Sequence, residues 1–83
     1  MKDGQVRRLI MENLPSSESA QASKIYLKIA VQQDAKSLGG IVSDRQFRDN
    51  LSALNSLQML VVFEDGFVRP TRAGLKGLSL IHI

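Results

Sequence analysis

The chain has 83 residues, with 11 Lys and Arg against 8 Asp and Glu, one His, no Cys and 43% hydrophobic residues. A chain this short buries only about 60% of the surface its unfolded form exposes, which predicts one small domain and argues against a deep catalytic cleft. Without cysteine there is no disulfide framework, thiol nucleophile or thiolate metal site, and one histidine cannot build an imidazole cluster. The net charge of +3 favours polyanionic over cationic partners.

The first segment, Met1 to Asn13, carries Lys2, Asp3, Arg7, Arg8 and Glu12, so it lacks the uninterrupted apolar stretch of a secretory signal. The charge-free run Asn50 to Phe63 contains Asn50, Ser52, Asn55, Ser56 and Gln58 and falls short of the roughly 20 mainly apolar residues of a bilayer span. A cytoplasmic location is expected.

From Asp3 to Leu14, Val6, Leu9, Ile10 and Leu14 recur at spacings of three and four, predicting a helix with Asp3 as its N-cap. Pro15 ends it, because the residue before a proline avoids the α region. After the polar Ser16–Ser19 connection, a second helix is expected over about 20–37. Ala22, Ile25, Tyr26, Ile29 and Ala30 are placed on its buried side, with Lys24, Lys28, Gln32 and Lys36 facing water. Gly39 and Gly40 stop it, and Ile41 and Val42 could add a short edge to a sheet.

Ser43 followed by Gln46 is a capping box opening a third helix over about 44–57, with Asp44 placed where the helix dipole favours negative charge. Phe47, Leu51 and Leu54 form its inward stripe, flanked by Leu57. Arg45, Arg48, Asp49, Ser52, Asn55 and Ser56 occupy the opposite arc. Leu60 to Phe63 and Phe67 to Arg69 read as strands joined through Glu64-Asp65-Gly66, since Asp-Gly tolerates the positive φ of a tight hairpin turn. Pro70 belongs at the strand's end. Thr71 can cap a last short helix that Gly74 and Gly77 weaken.

Three helices, a tight stop before the third and a hairpin directly after it predict an α+β fold that resembles the winged helix-turn-helix superfamily. The resemblance rests on Gly39-Gly40-Ile41-Val42-Ser43-Asp44-Arg45-Gln46-Phe47, then Leu51, Leu54 and Leu57, and the segment from Leu60 through Thr71-Arg72-Ala73-Gly74-Leu75. Lys24-Ile25-Tyr26, the glycine stop, Ser43 to Leu54 and Leu57 to Val62 are also similar to the C-terminal winged-helix domain of archaeal origin-recognition replication initiators. Gln58 stands where that family usually carries a hinge glycine, and neither its Gly- and Arg-rich wing nor its ATPase module is present.

The resemblance implies a three-helix core, a wing and a short C-terminal helix, with the third helix in the major groove of double-stranded DNA. Arg45 and Arg48 are then the first candidate contacts, with Ser52 and Asn55 next and Arg69 and Arg72 on phosphates beside the groove. The competing reading is a solvated helix face on which Arg45 or Arg48 pairs with Asp44 or Asp49. The acidic tip Glu64-Asp65 counts against deep minor-groove insertion. Transcription regulation is the leading role; origin binding in a replication initiator and a protein-interaction module are the alternatives. A homodimer or domains of a parent protein are further partners this reading admits, with no membrane and no small-molecule substrate.

No phosphate-binding loop, nucleophile with its base, or acid/base pair is apparent, so no enzyme activity, cofactor or metal is expected. Ser16, Ser17, Ser19 and Ser23 fit a polar linker, and Met11 and Met59 fit core filler. The expected domain spans 1–78. The tail Ser79-Leu80-Ile81-His82-Ile83 is either a genuine apolar tail or non-native, because it resembles a translated sequencing adapter.

Overall fold

The computed structural model describes residues 1–81, with side chains through Lys76. His82 and Ile83, and the side chains of the expected tail, lie outside the described residues. The chain is α+β: α1 (Asp3–Asn13), β1 (Ala22–Ser23), α2 (Lys24–Ser37), α3 (Asp44–Ser56), β2 (Leu60–Val62), β3 (Phe67–Pro70) and α4 (Arg72–Ile81). The three strands form one antiparallel sheet in the order β1-β3-β2. No described helix is long and apolar enough to cross a membrane.

Val6, Leu9, Ile10 and Leu14 of the first helical segment are buried as their spacing requires, joined by Met11. The N-cap is Lys2 rather than Asp3: Asp3 lies in the first turn, where its carboxylate accepts from Asn50 and Gln46 of α3. Across this contact the buried Asn50 accepts from Arg7 Nε at 3.0 Å and donates to Asp3 Oδ1 at 3.0 Å and to the Gln46 carbonyl at 2.9 Å. Its amide is thereby satisfied on both ends, which makes its burial affordable and ties α1 to α3.

The second helix departs most from expectation. It starts at Lys24, because Ala22 and Ser23 pair with Val68 and Phe67 as a third strand. It buries Leu27, Val31 and Ala35, whereas Ile25, Tyr26 and Ile29 are 69%, 68% and 46% exposed. Two apolar stripes at helical spacing run along this segment, and the core took the other one. The sheet edge expected from Ile41 and Val42 is therefore supplied by β1. Val42 is instead buried in the core from an irregular link, and Ile41 is exposed.

The helix ends where the glycines stand. Gly39, at φ +79, donates to the Lys36 carbonyl, and Gly40 donates to the Ala35 carbonyl at 2.8 Å, the paired bonds of a Schellman motif. Gly40 itself serves packing, since a Cβ there would come within 2.8 Å of Met1 Cε.

In α3, Ser43 Oγ accepts from Gln46 N at 3.1 Å, and Phe47, Leu51 and Leu54 are buried. The capping box is half made, because the Gln46 side chain turns to the Met1 carbonyl and to Asp3 instead of reaching back. Leu57, at the C-cap, is 60% exposed and borders a cleft beside Met11, Leu54 and Met59. The hairpin loop has three residues: Phe63 O accepts from Gly66 N at 3.1 Å, Phe63 N donates to Phe67 O at 2.9 Å, and Gly66 alone in the loop takes positive φ, at +89. Pro70 closes the ladder opposite Leu60, beyond the end of β1, so its missing donor breaks no pairing.

Thr71 caps α4 by accepting from Gly74 N at 3.1 Å. Gly74 is required by proximity rather than tolerated as a weak point: a Cβ there would stand 1.9 Å from the Met59 carbonyl oxygen. This close approach seats α4 on the link between α3 and β2.

Candidate nucleic-acid interface

The candidate residues on α3 are presented by its outer face, which follows from Phe47, Leu51 and Leu54 being turned into the core. Arg45, Arg48, Ser52 and Asn55 are all exposed. They do not share one environment. Arg45 Nε lies 3.9 Å from Asp49 Oδ2 in an exposed i,i+4 pair, and Arg45 borders a cleft of about 320 Å³ with Arg7, Asp3 and Asp49 on the α1 side. A pair this exposed is worth little.

Arg48, Ser52 and Asn55 border a different cleft, of about 240 Å³, whose other walls are Lys24, Leu51 and Val62. Arg48 and Lys24 also border a larger hollow of about 500 Å³ between α2, α3 and the hairpin, where Ile25, Phe47 and Phe67 supply apolar wall and Asp44 and Asp65 supply carboxylates. Asp44 is engaged there, accepting from Gln32 Nε2 at 2.8 Å and from Lys28 Nζ at 3.4 Å. Those bonds, that of Gln32 first and the Lys28 charge second, hold its carboxyl below the ordinary value. Lys28 and Gln32, expected simply to face water, thus brace α2 against the N-terminus of α3.

Asn55 has a structural task beside any contact with a ligand: its Oδ1 accepts from Val62 N at 3.3 Å, fastening the end of α3 to β2. Arg69, opposite Val61 in the ladder, sets its guanidinium 5.2 Å from the centre of the Phe63 ring, with Nε buried and without a hydrogen-bond partner. Arg72 is exposed at the first position of α4, where a cation opposes the helix dipole. Glu64 and Asp65 are exposed at the hairpin tip, and Asp65 Oδ1 accepts from Phe67 N at 3.2 Å.

The residue missed from the sequence is Lys24. Its place beside Arg48 depends on α2 starting at Lys24 and on β1 joining the sheet, and no helical spacing within either segment reveals it. Among the described residues no group of His, Cys, Asp and Glu could hold a metal ion. Comparison with protein-family models, with curated proteins and with solved structures gives no match to this chain.

Proposed function

We propose that the chain binds double-stranded DNA as a winged helix-turn-helix, with α3 in the major groove and the β2–β3 hairpin as the wing, in transcription regulation. The observation carrying this reading is the outer face of α3: Arg45, Arg48 and Ser52 are exposed on a helix whose other face is locked into the core, directly before the hairpin. Arg69 and Arg72 reach phosphates beside the groove. Replacing Arg45 and Arg48 together by Ala is expected to weaken duplex binding and lower the slope of log affinity against log salt by about two contacts' worth. Unchanged affinity and slope in a folded double variant would reject the reading.

One observation supports an alternative, while the origin-binding reading rests on the resemblance alone, from which Gln58 departs. The exposed Ile25, Tyr26 and Ile29 favour a winged helix that docks a protein. Duplex binding that is salt-sensitive and lost with the two arginines separates DNA binding from protein docking.

A further inference from the structure

We propose that Lys24, Arg48 and Ser52 seat one phosphate group of the DNA backbone in the cleft between the first turn of α2, α3 and β2; this rests on the DNA-binding reading of α3. Of the three clefts that border the arginines of α3, two carry carboxylates: Asp3 and Asp49 beside Arg45, and Asp44 and Asp65 in the large hollow. The cleft of about 240 Å³ carries none. Its two cations have no salt-bridge or side-chain hydrogen-bond partner among the described residues, unlike Lys28, which is held by Asp44, and Arg45, which lies beside Asp49.

The remaining walls suit an oxyanion. Ser52 offers a hydroxyl, and Asn55, whose Oδ1 is occupied by Val62 N, retains its NH2 as a donor. Leu51 and Val62 supply apolar wall, which lowers the local dielectric and strengthens attraction to an anion. Ammonium, guanidinium, hydroxyl and amide can all donate, and the cleft holds no carboxylate, the acceptor that would favour a cation. A phosphate contact positions a protein on the duplex without reading sequence, so the effect of losing it is the same on any duplex.

The deciding experiment measures duplex affinity against salt for wild type, Lys24→Gln and Lys24→Arg on two unrelated duplexes, with thermal melting to verify folding. Lys24→Gln is expected to reduce the salt slope by about 0.9 on both duplexes, with Lys24→Arg restoring it. An unchanged slope in folded Lys24→Gln overturns the proposal, and leaves the DNA-binding reading standing if the arginine double variant still loses binding. A second arm titrates inorganic phosphate while following the backbone amides of Lys24, Arg48 and Ser52. If wild type binds no duplex and these amides still shift, and do so less in Lys24→Gln, the source is a free oxyanion; the DNA-backbone assignment is then overturned together with the DNA-binding reading.

Discussion

Gln58 is the one described residue other than glycine with positive φ, at +60. It sits just past α3, where Gln58 N donates to the Asn55 carbonyl at 3.1 Å and Met59 N to the Leu54 carbonyl at 3.0 Å, a Schellman motif with a side chain where glycine is usual. An L-residue in this conformation costs about 1–2 kcal/mol, partly offset because glycine loses more backbone freedom on folding. Gln58→Gly is therefore expected to stabilise the protein by about 0.5–1 kcal/mol, seen as a higher urea midpoint at unchanged m-value. A lower midpoint would mean that the glutamine side chain contributes contacts outweighing its backbone strain. Gly74 shows the opposite relation, in which a small residue is imposed by a carbonyl 1.9 Å from the position a Cβ would take.

At the scale of elements, α2 shows how an apolar sequence leaves helix rotation undecided. Both Ile25 with Ile29 and Leu27 with Val31 satisfy a spacing of four, and only the second pair is buried. Pairing of Ala22 and Ser23 with β3 places one end of the helix, and the Gly39-Gly40 stop places the other. Leu27→Ala is expected to cost about 2–5 kcal/mol, as for a fully buried leucine, while Ile25→Ala changes stability by no more than about 0.5 kcal/mol. Chemical denaturation of the two variants checks this, and a larger loss for Ile25→Ala than for Leu27→Ala would show that the two stripes had been exchanged. The third helix had no such ambiguity, because charged and polar residues fill all of its outer arc.

Across the whole molecule, carboxylates join helices distant in sequence. Asp3 of α1 accepts from Asn50 and Gln46 of α3, and Asp44 of α3 accepts from Gln32 and Lys28 of α2. In each case side-chain hydrogen bonds, from Asn50 and Gln32 first, hold the carboxyl below its ordinary 3.8. A pKa depressed in the folded state contributes stability that is present above the unfolded value and lost as pH falls through the folded one. Stability is therefore expected to hold down to about pH 4 and to decline below it, with a shallower acid decline in Asp44→Asn. Urea unfolding of both proteins at a series of acidic pH values tests this; parallel curves would remove Asp44 from the acid response.

The sequence by itself determined three helix boundaries: Gly39, Ser43 and Thr71 act through bonds to residues within a few positions, so local chemistry suffices, whereas the N-cap of α1 is Lys2 and not Asp3. It also determined the inward stripe of α3 and the hairpin, because Phe47, Leu51 and Leu54 admit one amphipathic rotation and Asp65-Gly66 suits a turn. Only the tertiary structure decided which face of α2 is buried, that β1 rather than Ile41-Val42 completes the sheet, and that Gln46 abandons its cap for Met1 and Asp3. It also separated Arg45 from Arg48 and set Lys24 beside the latter. These outcomes depend on contacts between residues far apart in the chain, where several local patterns are equally favourable and packing selects among them.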